Sequence, residues 1–197
     1  VGTALPRIIT DLGGFSKYTW VVTSYMISST VTVPIVAKLS DMYGRKWFLV
    51  AGIIIFLAGS AICGTSHTMD QLIAYRAIQG VGAGAIMALA FTILGDLFSP
   101  AERGKYVGIM SAVFGLSSII GPTLGGYITD HWGWHWVFYV NIPLGVIIIF
   151  LNIFFFPHIR FSTHKHKIDV LGIVALILTV VPLMLASTPT GSPPALG

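Results

Sequence analysis

Residues Ala37-Lys38-Leu39-Ser40-Asp41-Met42-Tyr43-Gly44-Arg45-Lys46 place four charges and a glycine between two long apolar runs that carry no charge. A basic, turn-forming segment between two membrane-length stretches fixes which side of a bilayer faces the cytoplasm. The composition fits that setting. The chain of 197 residues is 55% hydrophobic and only 9% charged, against roughly 25% in soluble domains, and its mean hydropathy is +0.86. A soluble core of this size could not hide so much apolar surface, so the expected solvent is lipid. The 22 glycines suit helices that pack closely in a bilayer. The lone cysteine, Cys63, lies inside an apolar run, supports no disulfide framework and reads as a packing residue.

A hydrocarbon core of about 30 Å takes roughly 20 apolar residues as a helix. Outward from the charged segment, uncharged runs extend over Trp20 to Ala37 and over Trp47 to Ser66. Gln71 to Gly95 follows with only Arg76 inside it, then Tyr106 to Thr129, Trp132 to Pro157 with His135, and Val170 to Ser187. These make six complete predicted spans. Val1 to about Ile9 reads as the outer end of an earlier helix, counted as the first, so the chain is expected to be a piece of a longer protein. The expected layout is a bundle over 1–157, a cytoplasmic linker over 158–169, a seventh helix over 170–187 and an external tail over 188–197.

Lys38, Arg45, Lys46, Arg103, Lys105, Arg160, Lys165 and Lys167 fall on one side of these spans, and only Arg7 and Lys17 on the other. That asymmetry puts the 2–3, 4–5 and 6–7 loops in the cytoplasm. It also accounts for the net charge of +4 without nucleic acid as a partner. Trp20, Trp132, Trp134 and Trp136 are expected at the outer boundary and Trp47 at the inner one, as an aromatic belt.

Three helical stripes stand out. In the fourth helix, Arg76, Gln79, Gly80, Ala83, Gly84 and Met87 share one face. An arginine inside an apolar segment is costly toward lipid, so it faces protein or a watery cavity, or else snorkels to the outer headgroups. In the second helix, Tyr25, Ser28, Ser29 and Thr32 either line a path or bond back to their own helix, and Pro34 bends its end. In the fifth, Gly108, Ser111, Gly115, Ser118, Pro122 and Gly125 form a small-residue stripe that lets another helix approach closely. Pro122 also frees the carbonyl of Ser118 and favours a kink. Ser99-Pro100-Ala101-Glu102 is a helix-start signal. His158, His164 and His166 read as solvated, and Asp169 as a partner of a helix N-terminus. No nucleotide loop, zinc spacing or nucleophile–base pair occurs, so no enzyme, metal site or bound cofactor is expected.

The 37–46 segment resembles the loop between helices 2 and 3 of the major facilitator superfamily, G-x-L-a-D-r-x-G-r-k, with Ala37 and Met42 in place of its first glycine and an arginine. Arg76-Ala77-Ile78-Gln79-Gly80-Val81-Gly82-Ala83 is similar to that family's helix-4 pattern R-x-x-Q-G-x-g-a. Gly108 and Gly121-Pro122-Thr123-Leu124-Gly125-Gly126 resemble its antiporter motif G-x8-G-x3-G-P-x2-G-G, with Ser117 at the middle glycine. Trp134 to Gly145 is similar to the W-R-W-x-F-x-x-N-x-P-x-G start of helix 6 in the 14-helix EmrB/QacA-like branch, His135 replacing the arginine. Ala4-Leu5-Pro6-Arg7-Ile8 resembles the end of helix 1.

This resemblance implies an all-α membrane protein: the N-terminal six-helix bundle of a drug:proton antiporter, built as two inverted three-helix repeats, plus helix 7, with helix 1 truncated. It implies proton-coupled efflux of lipophilic, often cationic compounds by alternating access, driven by the proton gradient with no cofactor. Arg76, Gln79 and Gly80, with Tyr25, Ser28 and Thr32, are then the coupling and cavity residues. A guanidinium does not release its proton, so Arg76 would act on the pKa of a carboxylate outside the complete spans. Asp41, Gly44, Arg45 and Lys46, joined by Asp96, would form a cytoplasmic gate. Gly108, Gly121, Pro122, Gly125 and Gly126 would form the antiporter motif. Implied partners are a small-molecule substrate, protons, the bilayer and the C-terminal half of the same transporter, with an external adaptor protein left open. A nutrient importer and a non-transporting receptor or scaffold are the alternatives.

Overall fold

In lipid every backbone N–H and C=O must be satisfied within the protein, which leaves helices as the form open to long apolar runs. The computed structural model describes residues 1–156 and 170–187. The linker expected at 158–169, with its histidines and Asp169, and the tail expected at 188–197 lie outside the described residues. After a 3-10 turn the chain forms α1 (Leu5–Leu12), α2 (Tyr18–Tyr43), α3 (Arg45–Gly64), α4 (Met69–Leu97), α5 (Pro100–Trp132), α6 (Trp136–Tyr139), α7 (Asn141–Phe155) and α8 (Val170–Ser187), with no strand among the described residues. Five helical segments there are long and apolar enough to cross a membrane: α2 with its preceding turn, α3, α4, α5, and α6 with α7. The protein is an all-α, multi-pass membrane protein.

α4 and α5 start ahead of their uncharged runs, each at a side-chain cap. α5 starts at Pro100, ahead of its first apolar residues, where Ser99 and Glu102 close a reciprocal capping box. The charged stretch 37–46, read from sequence as a loop, is helical instead. α2 continues through Asp41 to Tyr43, and Gly44 alone breaks the chain, at φ 99° and ψ 138°. A positive φ of this kind is open to glycine and strained for other residues. Headgroup water can solvate the end of a helix as well as a loop, so charge alone does not terminate α2.

The sixth span is also divided. Pro143 cannot donate to the Tyr139 carbonyl, and the helix is interrupted at Val140. Asn141 Nδ2 donates to Ser60 Oγ at 3.1 Å and Ser60 Oγ to the Phe138 carbonyl at 2.8 Å, tying the break to α3. Trp134, expected in the outer belt, is fully buried and donates Nε1 to Asp11 Oδ2 at 3.0 Å. Gly133, at φ 91°, turns the chain so that this indole joins a core of Ala4, Ile8, Val21, Cys63, Met69, Leu72 and Phe138. Trp20, Trp47, Trp132 and Trp136 stay exposed. His135 stacks on Trp134 with centroids 3.8 Å apart. Burial holds its imidazole below the usual histidine range, while Asp11 pulls partly back and His67 adds to the lowering.

α4 packs along its length between α2 and α3. Gly80 and Gly84 meet the Tyr25–Thr32 stretch of α2, Gly82 meets Gly52 and Phe56 of α3, and Gly59 of α3 lies on the backbone of Gln79. α5 is different. Its central face is exposed, and a side chain at Gly108, Gly115, Gly121 or Gly126 would meet nothing within 4 Å. Of the glycines in the expected stripe, Gly125 alone is approached, by Thr3. No described helix supplies the close partner expected along the rest of it.

These contacts set a stability test. A Cβ at Gly59 would sit 2.6 Å from Gln79 Cα, whereas one at Gly126 meets open space. Gly59→Ala is expected to lower the thermal unfolding midpoint of the detergent-solubilised protein, by a cost of about 1–3 kcal/mol for overpacking. Gly126→Ala should leave the midpoint near wild type. Equal midpoints for the two variants would contradict this packing.

Candidate functional site

α4 begins at a side-chain cap, Thr68 accepting from the Gln71 amide, and Arg76 follows within the membrane segment. Its side chain is not extended to the headgroups. Arg76 is 7% exposed and wedged against α2. Nε donates to the Val21 carbonyl at 3.3 Å and Nη1 to Gln79 Oε1 at 2.6 Å. The guanidinium lies 4.0 Å from the centroid of the Tyr25 ring, a cation–π contact contributing about 0.5–2 kcal/mol. Cys63 Sγ, fully buried on α3, stands 3.9 Å from Gln79 Oε1. Neutral groups thus carry the whole cation, and among the described residues no ion pair reaches it.

The Ser28, Ser29 and Thr32 hydroxyls of α2 bond back to their own helix, whereas Ser24 Oγ donates across to the Ile73 carbonyl of α4 at 3.1 Å. Ser28 Oγ donates to Ser24 O and Tyr25 O at 2.9 and 3.1 Å, Ser29 Oγ to Met26 O at 3.0 Å and Thr32 Oγ1 to Ser28 O at 2.7 Å. Ser28 and Thr32 meet Gly80 and Gly84 of α4, so they lie in a helix–helix seam. Beside that seam runs a cleft of about 550 Å³, lined by Tyr25, Ser29, Thr30, Val33, Pro34 and Met87 among others. A second cleft of about 310 Å³ is formed by Met87, Phe91, Met110, Ser111 and Phe114. Met87 lines both, and α5 supplies the far wall of the second. Sequence reasoning missed Phe91, Met110 and Phe114, because an apolar side chain facing a cleft looks like one facing lipid. The spacing Met87–Phe91, one helical turn on the arginine face, was the available signal.

At the opposite end of α4, Arg45 Nη2 pairs with Asp41 at 2.9 Å and Nη1 with Asp96. The structure therefore brings Asp41, Arg45 and Asp96 together around the Gly44 turn. Lys46 leaves this group. Its Nζ donates to the carbonyls of Ile153 and Phe156, each at 2.9 Å. Arg103, also missed, caps the end of α4 through Phe98 O at 3.1 Å and Gly95 O, as suits a cation at a helix C-terminus. Gly108, Gly121, Pro122 and Gly126 sit on the open face of α5, which runs through Pro122 unbroken. No group of three or more His, Cys, Asp or Glu able to hold a metal occurs among the described residues.

A multi-pass helical bundle with a buried cation beside an apolar cleft is the class of architecture that membrane transport proteins use. The chain belongs to the Major Facilitator Superfamily, whose family model matches residues 1–169. Over 186 residues it is 51% identical to "Multidrug resistance protein 3" of Bacillus subtilis, covering 94% of this chain and 36% of that protein. It is 45% identical over 188 residues to "Multidrug transporter protein MdtP" of the same organism, covering 94% of this chain and 34% of the relative. An "MFS-type efflux pump LUC4" of Fusarium is 38% identical over 197 residues, covering 98% and 35%. The chain spans about a third of the length of these relatives.

The neutral partners of Arg76 set a second stability test. Removing this charge leaves no counter-ion stranded, while two buried acceptors lose a donor. Arg76→Met is expected to change stability by within about 1 kcal/mol, read as the detergent unfolding midpoint. A loss of several kcal/mol would mean that Val21, Gln79 and Tyr25 overcompensate the buried charge.

Proposed function

We propose that the full-length protein exports lipophilic, often cationic compounds in exchange for protons, by alternating access. The observation that carries this reading is the position of Tyr25. Tyr25 lines the larger cleft and its ring bears the Arg76 guanidinium, so a ligand in the cleft and the buried charge share one residue. Methionine and aromatic walls at Met87, Phe91, Met110 and Phe114 suit ligands of varied shape, because thioethers are flexible and polarisable. The multidrug and efflux relatives support the same direction.

Arg76 stays protonated throughout. A carboxylate elsewhere in the full protein pairs with it when ionised; when that carboxyl takes a proton, Arg76 falls back on Val21, Gln79 and Tyr25. Gln79 and Gly80 hold it there, while Ser28 and Thr32 set the α2–α4 spacing. The Asp41–Arg45–Asp96 cluster at the Gly44 turn closes the cytoplasmic side. The open stripe of α5, with Gly108, Gly121, Pro122 and Gly126, receives a helix from the remainder of the transporter, while Gly125 of the same motif is closed by Thr3. The chain forms the bundle over 1–157, followed by a linker and a further helix, and performs transport, not bond-breaking chemistry.

The test uses the full-length gene in cells lacking their own pumps. Accumulation of a fluorescent cationic dye is followed with and without a protonophore, for wild type, Arg76→Ala and Tyr25→Ala. Dye exclusion is expected in wild type, lost with the protonophore and in Arg76→Ala, and reduced severalfold in Tyr25→Ala. Exclusion that survives the protonophore would overturn proton coupling, and unchanged accumulation throughout would overturn efflux of this substrate class.

A further inference from the structure

Arg45 and Lys46 are consecutive, yet they serve different neighbours. Successive residues on a helix point about 100° apart, and α3 starts immediately after the Gly44 break. Arg45 therefore reaches back to Asp41 of α2 and across to Asp96 of α4. Lys46 turns to α7, where the carbonyls of Ile153 and Phe156 are left without intrahelical donors at the helix end. A lysine that only sets topology would keep its ammonium in water. This one is 8% exposed, and burying it is costly unless its hydrogen bonds are made.

α3 and α7 are joined at two further levels. Gly145 abuts Leu57, whose Cδ1 would lie 2.5 Å from an added Cβ. Beyond it, the Ser60–Phe138–Asn141 hydrogen bonds close the far end. The two helices thus form one stiff pair, and the first turn of α3 carries both the gate pairing and the end of α7.

We propose that Lys46 is a positioning residue that couples the Arg45–Asp96 pairing to the last turn of α7, where the chain passes into the connection to α8. This rests on the gate reading given above. When Arg45 leaves Asp96, the first turn of α3 moves and draws the Ile153–Phe156 turn with it.

The test is made on the full-length protein in inverted membrane vesicles, with Cys63 and any cysteine elsewhere replaced by serine. Phe155, 75% exposed, is changed to cysteine as a reporter for an impermeant maleimide. Breaking the gate with Asp96→Asn is expected to change the labelling rate at least threefold when position 46 is lysine. Lys46→Arg should preserve that response, and Lys46→Met should abolish it. Lys46→Gln, which keeps a donor but loses charge and reach, gives the same readout if the methionine variant fails to accumulate. An equal response to Asp96→Asn in all backgrounds, or none in any, would overturn the proposal. Labelling does not require export, so failure of the dye assay beside a coupled labelling response would count against efflux alone.

Discussion

The close approach of α4 to both of its neighbours is the constraint on which the bundle depends. Lipid tails are as apolar as leucine, so helices in a bilayer associate through tight packing and hydrogen bonds, with no gain from hiding apolar surface. Gly80 and Gly84 on one side, and Gly82 with Gly59 of α3 on the other, bring backbones within reach of side-chain atoms. That approach puts the Val21 carbonyl, the Tyr25 ring and Cys63 around Arg76 and Gln79. The glycines and the arginine are one device, since a wider seam would leave the guanidinium without partners.

Charges at the two ends of α3 and α4 do a second job. Three consecutive residues, Gly44, Arg45 and Lys46, break one helix, start the next and tie that start to α2, α4 and α7. Helix ends supply the acceptors for Lys46 and Arg103. Among the described residues at this end of the bundle, Arg45, Lys46 and Arg103 are therefore spent on helix termini and on Asp41 and Asp96. The asymmetry that orients a membrane protein and the contacts that hold its helix ends together draw on the same side chains.

The fold was legible because lipid permits few forms. Uncharged runs of membrane length became helices, and the stripe Arg76–Gln79–Gly80–Ala83–Gly84 lies on α4 where helical spacing put it. What escaped were features decided by tertiary contact. The 37–46 segment looked like a loop because it is charged, yet only the backbone of Gly44 breaks the helix. Trp134 looked like a belt residue because three tryptophans cluster there, but Gly133 turns it inward to Asp11. The stripe hydroxyls of α2 could equally face a path or their own carbonyls; Ser28 and Thr32 lie in the seam with Gly80 and Gly84 and bond back to their helix, while Tyr25 and Ser29 line the cleft. Lys46 seemed to belong with Arg45, since sequence adjacency hides a turn of about 100° between them. The cleft residues Phe91, Met110 and Phe114 had no polar signature at all.

α5 forms one wall of the smaller cleft while touching the rest of the bundle mainly at its ends. Apart from the Ser118 carbonyl that Pro122 leaves without its donor, the backbone groups within it are satisfied by its own helix, so lipid supports it without tight neighbours. The width of that cleft therefore depends on where a whole helix stands as well as on the rotamers of Met87, Phe91, Met110 and Phe114. A rigid-body displacement of this one element would change the cleft's width at little cost in side-chain strain.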